Sequence, residues 1–244
     1  MDELLTEEHK LIRDTARKHV SKHLKPIIEE RFETATFSPD IIPGLAEIGA
    51  FGPMVPTEYG GMGLDQISYG LIMQEIERCD SGLRSLCSVQ GSLVMYPIWK
   101  YGSEEQKKKW LPQLAQGKKI GCFGLTEPDH GSNPGGMVHA FVDKGDHYLL
   151  NGAKMWISNS PLSDIAVVWA KAENTEGRIH GLIVERGMEG FTTPTTHGKL
   201  SLRASPTGEL VFDNVKVPKS NLLPNKSGLG APLGCLDSAR YGIA

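Results

Sequence analysis

The first half of the chain carries the pattern of buried helices. Apolar residues recur at roughly the helical period at Ile12, Ala16, Val20, Leu24 and Ile27. Thr6 precedes two glutamates that suit the first turn of a helix, so this helix is predicted to begin there and to be kinked at Pro26. Residues 39–48 and 67–78 predict further helices, and Ser103 opens another with a capping box.

The pattern changes after residue 118 to short apolar runs between turn residues. Residues 141–143 and 148–150 flank a Lys-Gly-Asp turn and predict a β-hairpin. Residues 165–170, 181–185 and 210–212 are further short runs typical of strands. This half of the chain is therefore predicted to be built on β-structure.

These patterns predict an α+β fold with three regions. We expect an N-terminal α-helical domain over residues 1–118 and a middle β-barrel or β-sandwich domain over residues 119–224. Residues 225–244 are interpreted as a linker and the start of another helix, whose pattern resumes at Leu236. The glycine-rich stretch at 227–234 is assigned to the linker, because its glycines do not match the dinucleotide-binding spacing.

Composition and charge exclude several classes of function. The 244 residues are 39% hydrophobic and 23% charged, with a net charge of −3, as in an ordinary globular protein. This balance predicts no nucleic-acid partner and no membrane association, and the acidic N-terminus lacks the features of a targeting peptide. The four cysteines form no C-x-x-C pair, so we expect buried thiols in a reducing compartment and no metal site. They are Cys79, Cys87, Cys122 and Cys235.

Two segments of the β-region carry candidate binding chemistry. Residues 122–132 predict a strand that ends in a turn, where a hydroxyl, backbone N–H groups and a glycine that permits close approach come together. This suits an anionic or heteroaromatic ligand lying against the backbone. Residues 154–158 add an indole, which is a flat apolar face with one donor. The alternative is a hairpin with a polar turn and a tryptophan in the core.

In this order, the two segments resemble the flavin site of the acyl-CoA dehydrogenase family, where they flank FAD. The resemblance implies that Thr126 bonds the edge of the isoalloxazine ring, that Ser132 reaches the pyrophosphate or the substrate, and that Trp156 packs on the other side of the ring. The full set of implied FAD-binding residues is Phe123, Gly124, Leu125, Thr126, Ser132, Trp156, Ile157 and Ser158.

The family resemblance extends to the end of the chain. Residues 233–240 resemble the segment that holds the CoA arm of the substrate; the alternative for Asp237 and Arg240 is a surface ion pair. The implied substrate residues here are Leu233, Gly234, Cys235, Leu236, Asp237, Ser238, Ala239 and Arg240. Family members continue into a C-terminal four-helix bundle, so this chain is expected to be truncated before that bundle.

Arg84 and Ser85 carry the resemblance that indicates a substrate. They resemble the pair with which glutaryl-CoA dehydrogenases hold the distal carboxylate of their dicarboxylic substrate. A guanidinium pairs bidentately with a carboxylate, whereas a monocarboxylic acyl tail would leave this cation poorly satisfied in an apolar pocket. The alternative is that Arg84 is a solvated residue at the start of a helix.

The resemblance implies FAD-dependent oxidation of glutaryl-CoA to glutaconyl-CoA, followed by decarboxylation to crotonyl-CoA, as in lysine and tryptophan degradation. It implies electron transfer to an electron-transferring flavoprotein and a homotetramer at full length, in a bacterial cytoplasm or, after processing, the mitochondrial matrix. The alternatives are a short-chain acyl-CoA dehydrogenase or oxidase, a non-catalytic FAD- or CoA-binding protein, and a structural adaptor.

No catalytic residue is predicted within the chain. In most of the family, glutaryl-CoA dehydrogenases included, the α-proton is removed by a glutamate of the C-terminal bundle, beyond Ala244. The isovaleryl and long-chain branches place a glutamate just before the arginine equivalent to Arg240, where this chain has Ala239. We therefore expect a truncated form, an incomplete gene model or a fragment, with little activity alone.

Overall fold

The helices come first along the chain, and a β-sheet follows. The structure is a computed structural model that describes residues 2–173 and 177–243, so Ala244 lies outside the described residues. No described helix is both long enough and apolar enough to cross a membrane. The α-helices are α1 (Glu7–His19), α2 (Lys25–Thr34), α3 (Ile42–Glu47), α4 (Gln66–Glu77), α5 (Ser81–Ser88), α6 (Tyr96–Tyr101), α7 (Glu104–Ala115) and α8 (Gly230–Tyr241).

The first helix begins where the sequence predicts, but its irregularity lies elsewhere. The Thr6 hydroxyl accepts a hydrogen bond from the backbone N–H of His9 at 3.2 Å, which caps α1. A π-helical segment, Val20–Leu24, then joins α1 to α2. The helix does not end near Pro26 as predicted. Pro26 lies in the first turn of α2, directly after the π-helical segment, and α2 continues to Thr34.

The β-region forms one eight-stranded sheet with the order β6-β7-β3-β2-β4-β5-β8, and β1 pairs with β4 in parallel. The predicted order of a helical domain followed by a β-sheet domain is confirmed, and so is the hairpin of β2 and β3. The strands are β1 (Gly121–Gly124), β2 (Ala140–Asp143), β3 (His147–Ser158), β4 (Ile165–Ala172), β5 (Arg178–Glu185), β6 (Phe191–Thr192), β7 (Thr207–Pro218) and β8 (Leu222–Ser227).

The end of the chain is more regular than predicted. Strand β8 occupies Leu222–Ser227, and α8 begins at Gly230 instead of near Leu236. Pro232 lies within the first turn of α8, where a proline is tolerated. Cys87, Cys122 and Cys235 are buried thiols, as expected, whereas Cys79 is half-buried.

A second π-helical segment, Val89–Met95, joins α5 to α6 and packs against β1. Its Gln90 is fully buried and donates from Nε2 to the carbonyl oxygens of Leu114 and Lys119 at 3.0 and 2.9 Å. The Gln90 Oε1 accepts from the backbone N–H of Gly121 at 2.8 Å. One amide side chain therefore fixes the start of β1 relative to the helices, and β1 leads directly to the segment that carries Thr126.

Asp65 provides a test of helix capping in this fold. Its carboxylate accepts from the Ser68 backbone N–H at 2.8 Å and contacts His9 Nε2 at 2.9 Å. The hydrogen bond from Ser68 and then His9 lower the pKa of Asp65 to about 2. We expect Asp65→Ala to lower the free energy of unfolding by about 1 kcal/mol at neutral pH, as for other N-caps.

The pH dependence of that difference has a definite sign. Because the pKa of Asp65 is lower in the folded state, its stabilisation is present above about pH 4 and is lost as the pH falls towards 2. Guanidinium denaturation of the two proteins at several pH values measures it. Asp40→Ala is the control, because it removes an exposed carboxylate from the first turn of a helical segment whose N-cap residue is Ser38. An equal loss in both variants would contradict the capping role.

Candidate functional site

A cavity of about 370 Å³ lies where the ends of β1 and β3 meet the helices, within the size range of small-molecule sites. Most of the residues predicted to contact a flavin line it: Phe123, Leu125, Thr126, Ser132, Trp156, Ile157 and Ser158. Gly124 does not line it, and a β-carbon at this position would point at the Leu210 and Lys154 side chains. The structure thus brings the two predicted segments to one cavity.

The wall after β1 presents polar groups beside buried apolar ones. Phe123 and Leu125 are buried, and the Phe123 ring contacts Trp169 with centroids 6.2 Å apart. Thr126 and Ser132 line the cavity, and no hydrogen bond to either hydroxyl group is found among the described residues. This wall therefore holds hydroxyl groups that a bound ligand can use.

Trp156 stands on a β-bulge at the end of β3. Lys154 pairs with Leu210 and Ile157 with Gly208, so β3 has one residue more than β7 between these pairs. Trp156 has φ of 60°, which is rare for a bulky residue. Its indole is 62% exposed and lines both this cavity and a neighbouring one of about 470 Å³. The alternative of a core tryptophan is excluded.

The helical wall comes from the π-helical segment that follows α5. Val89 and Leu93 lie four residues apart and both line the cavity. Ser85 lies four residues before Val89, so it occupies the next position along the same face. Val89, Leu93 and Pro134 also line the cavity, although they were not predicted as site residues. For Val89 and Leu93, the local sequence offered one indication of a shared face, which is their spacing of four residues.

Arg84 and Ser85 do not line the cavity. Arg84 is only 8% exposed, and its Nε donates to the Glu77 carboxylate at 2.7 Å, so the alternative of a solvated arginine is wrong. Burial raises the pKa of Glu77, but the hydrogen bonds from Ser81 and Arg84 outweigh it, and the net pKa is lowered. The Arg84 guanidinium is thus a buried cation with one carboxylate partner.

Helix α8 presents three different faces. Leu233, Leu236 and Arg240 line the cavity. Gly234, Asp237 and Ser238 instead line a separate pocket of about 630 Å³ beside α6. Cys235 and Ala239 are buried. Arg240 Nη1 donates to Asp237 Oδ1 at 3.0 Å with both side chains exposed, so these two residues form the surface ion pair that was the alternative interpretation.

Among the described residues that line the cavity there is neither a carboxylate nor a group of metal-binding side chains. None of its described lining residues is an aspartate or a glutamate. Across the part of the chain that the structure describes, no three His, Cys, Asp or Glu side chains are grouped closely enough to hold a metal ion. The cavity can therefore bind a planar or polar ligand, but its own walls offer no carboxylate as a proton acceptor.

Two family profiles match most of the chain. The profile of the acyl-CoA dehydrogenase N-terminal domain matches residues 6–118, and that of the acyl-CoA dehydrogenase middle domain matches residues 122–215. The chain belongs to the acyl-CoA dehydrogenase family. The crystal structure of a glutaryl-CoA dehydrogenase from Mycobacterium smegmatis in complex with FADH2 is 49% identical over the whole chain, with a TM-score of 0.96.

Acyl-CoA dehydrogenases with different substrate names are equally similar to this chain. The short-chain specific acyl-CoA dehydrogenase of Clostridium acetobutylicum and the glutaryl-CoA dehydrogenase of Desulfococcus multivorans are both 38% identical over 100% of the chain. The chain spans 65% and 64% of these two relatives, and 62% of the solved Mycobacterium smegmatis protein. Family membership therefore leaves the acyl group open.

Proposed function

We propose that this chain forms the flavin-binding and acyl-CoA-binding part of a glutaryl-CoA dehydrogenase. The whole enzyme oxidises glutaryl-CoA to glutaconyl-CoA and then releases CO₂ to give crotonyl-CoA. The observation that carries the choice of substrate is the buried cation Arg84, on the helix whose next turns line the cavity. The 49% identity to the Mycobacterium smegmatis glutaryl-CoA dehydrogenase supports the same choice.

FAD is the ligand that the cavity suits. A flat, exposed indole at Trp156 and the unbonded hydroxyls of Thr126 and Ser132 fit a large planar ring with polar edges and a phosphate-bearing chain. When bound, FAD supplies the chemistry of hydride acceptance from the β-carbon of the acyl group. Thr126 would donate a hydrogen bond to the ring edge, where donors stabilise the negative charge that arrives with the hydride.

Arg84 has the capacity to hold a second carboxylate. Its Nε is engaged by Glu77, and among the described residues no hydrogen bond of its two terminal nitrogens is found. Those nitrogens and the Ser85 hydroxyl, about one helical turn before the cavity-lining Val89, would bind the distal carboxylate of a dicarboxylic acyl chain. Glu77 would fix the orientation of the guanidinium.

A short-chain acyl-CoA dehydrogenase is the second candidate. The observation in its favour is that Arg84 does not line the cavity and already has a carboxylate partner in Glu77. The 38% identity to the short-chain enzyme of Clostridium acetobutylicum supports it as well. A non-catalytic FAD- or CoA-binding protein is the third candidate, because no described lining residue is a carboxylate.

The proposal extends to the partners of the whole protein. We propose CoA-arm contacts from the cavity-facing residues of α8, which are Leu233, Leu236 and Arg240. The electron acceptor would be an electron-transferring flavoprotein, and the whole protein would be a homotetramer in the bacterial cytoplasm or the mitochondrial matrix. These partners rest on membership of the acyl-CoA dehydrogenase family.

Titration of the purified chain with FAD tests the proposal. We expect binding with quenching of flavin fluorescence, and about tenfold weaker binding in Thr126→Val and in Trp156→Ala, because each loses a ring contact worth about 1–1.5 kcal/mol. Thr57→Val, which changes an exposed threonine outside the cavity, is the matched control. Wild-type affinity in both cavity variants would contradict the assignment of this cavity to FAD.

A further inference from the structure

A buried lysine–glutamate pair lies behind the cavity wall. Lys154 and Glu127 are 0% and 3% exposed, and Lys154 Nζ is 2.8 Å from Glu127 Oε1. Neither residue lines the cavity, and the proposed chemistry uses neither. Burying two charges costs free energy unless further hydrogen bonds satisfy them, so such a pair is weak evidence for stability alone. The other groups that these two side chains bind therefore indicate the role of the pair.

Both side chains bind the backbone as well as each other. Lys154 Nζ also donates to the carbonyl oxygen of Leu125 at 3.3 Å. The Glu127 carboxylate accepts from the backbone N–H groups of Val138 and His139 at 2.8 and 3.0 Å. The pKa of His139 is lowered to about 3, chiefly by burial and then by Lys154, so its imidazole adds no charge to the pair near neutral pH.

These bonds fix the segment that carries Thr126. The residues on either side of Thr126 are held by Lys154, one through a carbonyl oxygen and the other through a carboxylate. The Thr126 carbonyl oxygen itself accepts from the Met155 N–H at 2.9 Å. Three consecutive residues after β1 are thus tied to two consecutive residues of β3, and the Thr126 side chain is left on the cavity side.

The same carboxylate closes the loop that follows β1. Glu127 begins this loop and Val138 ends it, so the hydrogen bond between them joins its two ends. Between them lie Gly131, Ser132 and Pro134, which line the cavity. Closing a loop at its ends restricts the conformations of the residues inside it.

Lys154 also sits at the start of the bulge that aims Trp156. It is the last residue of β3 in register with β7 before the extra residue. Its ammonium group is bound to Glu127, just after β1. This bond holds β3 next to the point where Trp156 adopts a left-handed backbone conformation. A strained backbone position persists only where its surroundings determine it.

We propose that the Lys154–Glu127 pair is a positioning clasp that holds together the three cavity-lining segments around Thr126, Ser132 and Trp156. It acts on flavin binding through these segments and touches no ligand itself. The identity of the ligand rests on the proposed function, but the clasp is a property of this chain alone. Lys154 and Glu127 are therefore positioning residues.

The double variant Glu127→Leu with Lys154→Met tests the clasp. It removes both charges together, so no uncompensated charge is left in the interior, and apolar replacement of buried pairs is often tolerated. It leaves the N–H groups of Val138 and His139 and the Leu125 carbonyl without their partners. We expect amide hydrogen exchange over residues 125–139 and 153–158 to be about tenfold faster, and FAD binding about tenfold weaker, as loosened hydrogen bonds predict.

Leu45→Val is the control for general loss of stability, because Leu45 is fully buried in the helical core away from the cavity. Exchange over 125–139 that rises no more in the double variant than in Leu45→Val would overturn the clasp. So would FAD binding to the double variant with wild-type affinity.

Failure of the proposed function gives a different result. If the wild-type chain does not bind FAD, the flavin assignment falls, while hydrogen exchange still decides the clasp. If the double variant does not fold, Glu127→Gln carries the same comparison, since it removes the charge and keeps one acceptor oxygen. Unchanged exchange over 125–139 in that variant would equally overturn the clasp.

Discussion

The 244-residue chain is expected to oxidise glutaryl-CoA at least about 1,000-fold more slowly than a chimera that continues it with the C-terminal remainder of the Mycobacterium smegmatis relative. The dehydrogenation requires a carboxylate that removes the α-proton, and a positioned general base contributes about 10²–10⁴-fold to the rate. No described lining residue of the cavity is a carboxylate. Ala239, where the resemblance to the isovaleryl and long-chain branches would place the base, is buried outside the cavity lining. Reduction of an artificial electron acceptor with added FAD measures the rate.

The flavin content of both proteins must be measured beside the rate. A chain that binds little FAD would be slow for a reason unrelated to the base, so rates are compared per bound flavin. The family resemblance assigns the base to a glutamate of the C-terminal bundle, so an Ala substitution of that glutamate in the grafted part of the chimera should lower its rate to that of the short chain. Equal rates per flavin in the short chain and the unaltered chimera would contradict the expectation that the base lies outside this chain.

Local patterns in the sequence were enough to predict the main helices and strands, and also the cavity wall after β1 that carries Thr126. Thr6 and Ser103 cap α1 and α7 because a side-chain oxygen three residues before a free N–H is a short-range feature. Thr126 lies in the cavity for a similar reason, since the end of a strand followed by turn residues exposes backbone and hydroxyl groups. Such features depend on neighbours in the chain.

What could not be predicted depends on contacts between distant parts of the chain. The outward direction of Trp156 comes from one extra residue in β3 relative to β7. The register between β3 and β7 cannot be predicted from residues 154–158 alone. The start of α8 carries a glycine and a proline that locally indicate a turn. It is helical because Ala231 and Cys235 pack into the core that includes the π-helical segment. Tertiary packing overrode the local preference.

Arg84 illustrates the same limit within the site. Its partner Glu77 lies seven residues earlier, on the preceding helix, so neither a helical period nor a motif joins them. The sequence therefore left open whether Arg84 was solvated, and burial between α4 and α5 decided it. Helix α8 is a comparable case. Its eight predicted contact residues share one segment but point in three directions, which only the packing of the helix reveals.

Replacing Arg84 by methionine in the chimera is expected to lower kcat/KM for glutaryl-CoA about 100-fold, with little effect on butyryl-CoA. The substitution keeps an unbranched side chain of similar length and removes the cation. A charge-assisted hydrogen bond is worth about 1.5–3 kcal/mol, and the loss of one or two of them to the distal carboxylate corresponds to roughly 100-fold. Butyryl-CoA has no distal carboxylate, so the substitution removes no hydrogen bond to it.

Arg78→Met is the matched control, because Arg78 is an exposed arginine directly after the same helix that carries Glu77. It should change neither activity. A loss of similar size for both substrates in Arg84→Met would mean that the Arg84–Glu77 pair only supports the packing of α4 and α5. The choice would then fall on a short-chain acyl-CoA dehydrogenase, since a buried arginine that discriminates no carboxylate gives no reason for a dicarboxylic substrate.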